Sequence, residues 1–380
     1  MKTMKRSTTN PFSQWLLIAW LFFFAIGCTK DDDPVSTIGP PDSKSVAAGG
    51  QHTLALETNG TLWTWGSNAF GQLGDSTFVD RNIPVIIAVG FTAIAAGRNH
   101  SMGLKADSTL WAWGHNEFGQ LGDGSTSDKY APVKIDSGYV AVASGYDHTL
   151  AIKADGSLWA WGLNNSGQLG DRTYSSRNKP VQVGTGFIAV AAGGNHSIGL
   201  KDDLTLWTWG DNSSGQLGDT SISYYKPSPH LIGSDYMAIA AGDNHSLAVK
   251  TDGSLYAWGR NNYGQLGDNT TADTTLPILI GTGFGAVDAG AFFSVGTKKD
   301  GSLWAWGDNA AFGHIGDGTN ETRKAPVNIG SGFDRVSAGS FHTVAIKGDG
   351  TLWVWGNNNV GQLGDGTNTS RNTPVRIGPD

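Results

Sequence analysis

The chain has 380 residues, 39% of them hydrophobic and 16% charged, with 55 Gly, 13 Pro, 15 Trp and one Cys. The apolar content excludes a disordered chain, the Gly and Pro load excludes a helical one, and the single Cys excludes an intramolecular disulfide, so packing must carry the stability. The 26 basic residues against 33 acidic ones leave a net charge of −7, and an acidic body is a poor ligand for nucleic-acid phosphates, whose affinity comes from Lys and Arg displacing counterions.

In chain order, residues 1–14 hold Lys2, Lys5 and Arg6 and no acidic residue, and residues 15–27 are an unbroken apolar run. That run is shorter than the roughly 20 residues needed to cross a bilayer, so 1–27 reads as a secretory signal. Ala25-Ile26-Gly27-Cys28 resembles the lipobox of bacterial lipoproteins, in which the thiol is acylated and becomes the first residue after cleavage. The resemblance implies lipidation at Cys28 and a lipid-anchored, extracytoplasmic protein at the outer membrane or cell surface; the alternative is an ordinary signal followed by a buried Cys. Thr29-Lys30-Asp31-Asp32-Asp33, then Pro34, Pro40 and Pro41, make 28–43 an acidic, extended linker.

The rest, 44–380, is one unit copied seven times. A Trp-Gly pair recurs at Trp65, Trp113, Trp161, Trp209, Trp258, Trp306 and Trp355. His52, His100, His148, His196, His245 and His342 keep step with it, with Phe293 in the sixth slot. Gly-Gln-Leu-Gly-Asp recurs too, altered in copy six to Gly313-His314-Ile315-Gly316-Asp317. Each copy parses as four short strands: a small-residue strand such as Val46-Ala47-Ala48, an alternating strand His52-Thr53-Leu54-Ala55-Leu56, a Gly-type hairpin at Asn59-Gly60, an indole-bearing strand Leu62-Trp63-Thr64-Trp65, and a short strand opening on Pro84-Val85. Proline cannot donate to a ladder, which puts the fourth strand at a sheet edge. A lone four-stranded sheet leaves both faces wet, whereas seven arranged radially bury each face on a neighbour. The expected fold is an all-β, seven-bladed β-propeller of four-stranded antiparallel blades, with the small-residue strand at the axis. The parse shows no strand borrowed across the seam to close the ring, and a parallel β-helix is the weaker alternative.

Leu-Trp-x-Trp-Gly-x-Asn-x-x-Gly-Gln-Leu-Gly-Asp, followed by Pro-Val and Ala-Gly-x-x-His, resembles the repeat of the regulator of chromosome condensation (RCC1) family, and the resemblance runs through all seven copies. It implies a propeller. The family includes a guanine-nucleotide exchange factor and a bacterial β-lactamase inhibitor, so it selects no single activity.

A histidine, indole pair or Gly-Gln-Leu-Gly turn present in nearly every copy solves a problem common to every copy, so these are read as scaffold. The Gly-Asp-Gly stretches at 122–124, 316–318 and 364–366 lack the ligand spacing of a calcium loop, so no metal or cofactor is expected. Recognition should lie where copies differ. The turns joining strands one and two, and three and four, emerge at one end of the disc. The first set places Arg98, Tyr146, Asp147, Asp243, Phe292 and Phe341 there; the second places Phe70, Phe118, Tyr263, Phe312 and Val360, with Ser166 and Ser214 in copies three and four. An arc of apolar or aromatic residues through blades five, six, seven, one and two suits protein binding. At the other end, Lys105, Lys153, Lys201, Lys250, Lys298 and Lys347 read as a solvated, charge-mixed rim. Asp288, replacing Ala on an inner strand, is a lone axial carboxylate. Three functions follow as expectations: a protein-interaction module binding through the aromatic-bearing face; guanine-nucleotide exchange, implied by the family, although copies that differ by at most one residue in spacing leave no room for an inserted wedge; and a polysaccharide-active enzyme, for which no constellation of paired carboxylates or nucleophile is visible.

Overall fold

A computed structural model describes residues 39, 40 and 42–378. The signal 1–27, Cys28 and most of the linker lie outside the described residues. Twenty-eight strands form seven antiparallel sheets of four consecutive strands each. Blade 1 comprises Ser43–Ala48, His52–Glu57, Leu62–Gly66 and Arg81–Ala88, and blade 7 ends with Arg371–Ile377. The seven-bladed propeller expected from the period is therefore the fold. The first strand of every blade ends at the axis, where Ala48, Ala96, Ser144, Ala192, Ala241, Ala289 and Ala338 line a common cavity. The fourth strand pairs with the third alone. It is longer than the sequence suggests: it begins at Arg81, and the ladder slips between Thr64↔Val85 and Gly66↔Arg81, so Pro84 sits in a bulge where no ladder donor is needed.

Each blade inserts its second indole into the blade before it. Trp65 of blade 1 is fully buried among Val344, Ile346, Leu352 and Val354 of blade 7, and Trp161 of blade 3 among Met102, Leu104 and Leu110 of blade 2. The glycine closing Gly-Gln-Leu-Gly makes room for it: a Cβ on Gly74, whose φ is +76°, would stand 2.8 Å from the Trp113 ring.

The repeated histidine fastens blade to blade. His52 Nε2 lies 2.9 Å from Ser101 Oγ of the next blade, and Ser101 Oγ donates back to the Gln72 carbonyl at 2.8 Å, which also accepts Trp113 Nε1–H at 2.9 Å. The hydroxyl has one proton and uses it on the carbonyl, so the histidine must donate from Nε2 and is the neutral Nε2–H tautomer. Burial holds His52, His148, His196, His245 and His342 down at about 3, and His100 at about 4, so these rings stay uncharged. The same fastening closes the ring. His342 Nε2 meets Thr53 Oγ1 at 2.9 Å, and Thr53 Oγ1 and Trp65 Nε1 donate to the Gln362 carbonyl at 2.8 and 2.9 Å. Blade 7 meets blade 1 as blades 1 to 6 meet one another, so no shared strand is required.

Blade 6 departs from the scheme in two slots that touch. Phe293 stands where the histidine belongs and His314 where the glutamine belongs, and their rings are 4.6 Å apart. Asp288 sits on the same blade and is not a free axial acid. Its carboxylate accepts the Ala289 and Ala338 amides at 2.9 Å each, and the Ser337 side chain also hydrogen-bonds to it. Ser337 Oγ in turn accepts the Ala48 amide of blade 1 at 3.1 Å. Burial pushes this carboxyl above its usual range against those hydrogen bonds.

The lysine rim differs from the reading above. Each lysine lies over the rings of its own blade: Lys347 Nζ is 4.0 Å from the Trp353 centroid and 5.2 Å from Phe333, and Lys298 Nζ is 4.2 Å from Trp304. These are cation–π lids on the half-buried indoles. Blade 1 has Glu57 in this slot, and it accepts Trp63 Nε1–H at 2.9 Å instead.

Candidate functional site: the loop face and its axial mouth

The turn after each inner strand and the long turn before each outer strand share one end of the propeller. Their backbones are set by the repeat, which frees the remaining side chains for other work. Asn68 is the staple of the long turn in blade 1: its side chain accepts from Leu73 N at 3.0 Å and donates to Asp75 Oδ1 at 3.0 Å. Gln72 Oε1 accepts from Phe70 N at 2.9 Å, which fixes the backbone that presents the aromatic slot. The same bond to glutamine presents Phe118, Ser166, Ser214, Tyr263 and Val360.

The predicted residues form three groups. The first is an aromatic patch on blades 5, 6 and 7. Tyr263 lies 5.3 Å from Phe292, Phe292 lies 6.1 Å from Phe341, and Phe341 lies 5.8 Å from Phe312. Tyr263 is 41% exposed and the three phenylalanines are half-buried, so the patch has a rigid base and a free surface. The second is a smaller group on blades 1 and 2, where Phe70 and Phe118 flank His115 at 4.6 and 6.3 Å. The rings of the apolar arc from blade 5 to blade 2 thus fall in two groups, with Val360 of blade 7 in the slot between them.

The third is polar and crosses the axial mouth. Tyr146 of blade 3 and Asp243 of blade 5 interact across the mouth, passing blade 4, whose residue in that slot is Gly194. The Arg98 guanidinium of blade 2 lies over the Tyr146 ring, 5.0 Å from its centroid. Together they roof the polar side of an axial cavity of about 70 Å³, while Gly50, Ala291 and Ser340 leave the other side low. Burial raises Asp243 to about 6, with Tyr146, Arg98 and Arg260 pulling the other way. The neighbouring Asp147 is also buried, but the His115 imidazole 3.6 Å away and the nearby Arg98 hold it below the usual carboxylate range. His115 is correspondingly raised, chiefly by the Asp147 carboxylate, whose Oδ1 lies 3.6 Å from Nδ1, and Gln120 Nε2 reaches both, at 2.9 Å to His115 Nδ1 and 3.2 Å to Asp147 Oδ1. Sequence reasoning missed His115 and Arg260, which occupy the slot after Trp-Gly. That slot reads Ser67, His115, Leu163, Asp211, Arg260, Asp308 and Asn357 around the ring, and its variability is the signal that would have found them. Arg260 joins the polar and aromatic groups, 5.9 Å from the Phe292 centroid.

Chemically, this is a rigid platform with an aromatic sector and a charged sector, the composition of a macromolecular contact surface. No group of three or more side chains able to hold a metal occurs among the described residues. The fold and its repeated seams define a closed repeat propeller. An RCC1-like domain model matches residues 181–380, and RCC1 repeat models match 59–104, 107–152 and 155–200. The chain belongs to the RCC1 repeat family. The curated relatives it matches include the ultraviolet-B receptor UVR8 of Arabidopsis thaliana, 34% identical over 22% of this chain and 20% of the relative. Another is the probable E3 ubiquitin-protein ligase HERC4 of Mus musculus, 40% identical over 16% and 6%. The chain thus spans a fifth or less of these relatives. Among solved structures, human WBSCR16 superposes with a TM-score of 0.75 at 23% identity, covering 83% of this chain and 94% of that one. Prp20p of Saccharomyces cerevisiae, described with its binding to Gsp1p and histones, superposes with a TM-score of 0.72 at 27% identity, covering 79% and 81%.

Proposed function

We propose that this chain is a lipid-anchored, extracytoplasmic interaction module that binds another protein through the loop face. The observation that supports the reading is the Tyr263–Phe292–Phe341–Phe312 patch, four rings from three blades in tilted and edge-on contact, on a scaffold that needs none of them there: the same slots hold Ser166, Ser214 and asparagines in other blades. Rigid, half-exposed aromatics lose little conformational entropy on binding and supply hot-spot area. The Arg98–Tyr146–Asp243 group beside them supplies polar discrimination. Anchoring rests on the lipobox resemblance at Cys28, and incorporation of labelled palmitate that survives Cys28→Ser would overturn it. The face is tested by capture from surface extracts with the native protein and a Tyr263→Ala, Phe312→Ala, Phe341→Ala variant. Loss of a specific partner with the variant is expected, and equal recovery refutes the assignment. The likeness to Prp20p supports a second reading, nucleotide exchange on a small GTPase, which an exchange assay with a labelled guanine nucleotide decides.

A further inference from the structure

We propose that the seam between blades 6 and 7 is where this ring opens, and that the aromatic patch acts as its clasp. The second half rests on the reading of the loop face given above; the first half does not. The other six seams carry a histidine-to-hydroxyl contact at 2.9–3.1 Å. They also carry an indole N–H bonded to the glutamine carbonyl at 2.9 Å. At the 6/7 seam Phe293 offers Thr343 no ring nitrogen, and Trp355 Nε1 is buried with no acceptor. Both nitrogens of His314 are likewise without a hydrogen bond, the nearest carboxylate being Asp308 at 3.9 Å. The turn amide that bonds the next blade at Gly50, Arg98, Tyr146, Gly194 and Ser340 has no counterpart among the described residues at Ala291 or at Asp243, so it is the histidine and indole bonds that set the 6/7 seam apart. What remains is the Thr343-to-His314 carbonyl bond at 2.9 Å, the Gly318–Asn372 pair at the rim, the Asp288 bridge at the axis and apolar packing.

The patch lies across this seam. Phe341 of blade 7 contacts Phe312, Phe292 and His314 of blade 6, at 5.8, 6.1 and 6.0 Å. Opening the seam withdraws Phe341 from all three, so the complete patch belongs to the closed ring. A protein seated on the patch therefore favours closure by its differential affinity for that state.

Native-state thiol labelling of the full chain in a Cys28→Ser background tests this. Ala55, Ala151, Ala248 and Ala345 are fully buried, each against the preceding blade, at the 7/1, 2/3, 4/5 and 6/7 seams. The Ala345→Cys protein is expected to react with an aromatic disulfide about tenfold faster than the other three, the factor that follows from one missing fastening. Restoring the repeat with Phe293→His plus His314→Gln should bring that rate down to the others. Asp288→Ala should raise it while leaving Ala151→Cys unchanged. Equal rates at the four sites, or a uniform response to Asp288→Ala, overturn the weak seam. Removing the rings with Phe312→Ala plus Phe341→Ala should raise the Ala345→Cys rate further, and an unchanged rate overturns the clasp. Because labelling needs no partner, a face that captures nothing leaves these results intact, and a rigid seam leaves capture intact.

Discussion

The buried histidines make the ring acid-labile in a window where most of its carboxylates are still charged. His52, His148, His196, His245 and His342 sit at about 3 in the folded state, and His100 and His314 at about 4, all lowered by burial. Their unfolded value is about 6.5. A folded pKa below the unfolded one means that the unfolded chain takes up protons first. Stability is therefore fully present above pH 6.5 and is lost as pH falls from there toward the folded values. At pH 5 each ring has forfeited about 2 kcal/mol, from 1.36 kcal/mol per pKa unit over the 1.5 units below 6.5. Seven rings sum to roughly 14 kcal/mol. His115, raised by Asp147, and Asp243, raised to about 6, act in the opposite sense. Asp243 offsets about 1 kcal/mol of this over the pH unit below 6, so the net loss between pH 7.5 and 5 is on the order of 10 kcal/mol. With an unfolding entropy near 2.1 cal/mol/K per residue over roughly 340 folded residues, that is a fall in Tm of about 14 °C. The assay is thermal and urea unfolding at half-unit steps from pH 7.5 to 5. Imidazole NMR signals followed over the same range should show seven rings that do not titrate in the folded protein. A pH dependence corresponding to fewer than about two protons taken up on unfolding, or repeat histidines titrating near 6.5 in the native state, would refute the account.

Four further outcomes follow from the geometry. His148→Gln should remove about one proton from the pH dependence above, while costing roughly 1–3 kcal/mol at pH 7.5 because Ser197 Oγ loses its donor; an unchanged slope in the unfolding series counts against the neutral-ring assignment. Gly97→Ala should destabilise by about 1–3 kcal/mol or more in urea unfolding, since the added Cβ would lie 2.2 Å from His100 Cε1 and 2.6 Å from the Gly145 carbonyl oxygen. Lys347→Ala should cost about 0.5–1 kcal/mol, insensitive to moderate salt, because it uncovers two rings rather than breaking an ion pair. Alanine at Tyr263, Phe312 and Phe341 should abolish partner capture while leaving circular dichroism unchanged, whereas the same change at the smaller Phe70–Phe118 group should reduce capture less.

What the sequence disclosed and what it concealed divide along the difference between period and neighbourhood. A near-constant repeat fixes the number of blades, and small residues at Val46-Ala47-Ala48 fix which strand meets the axis, because both are properties of a single copy. The fastening between blades is a property of two copies: His52 is satisfied by Ser101, and no local pattern announces that the hydroxyl following each histidine serves the previous blade. The paired exception in copy six was visible as two oddities, Phe293 and His314, but their ring contact requires the fold. Asp288 stood out as a carboxylate with no evident partner because its partners are backbone amides, which carry no signature in a sequence. The Tyr146–Asp243 interaction joins blades that are not adjacent and depends on the curvature of the ring at Gly194. Each concealed feature is an interaction between copies, and the blade that departs most from the repeat, the sixth, supplies two of the four rings of the patch together with the seam beneath it. In a molecule where every blade must solve the same packing problem, a blade released from the common solution is free to be selected for something else.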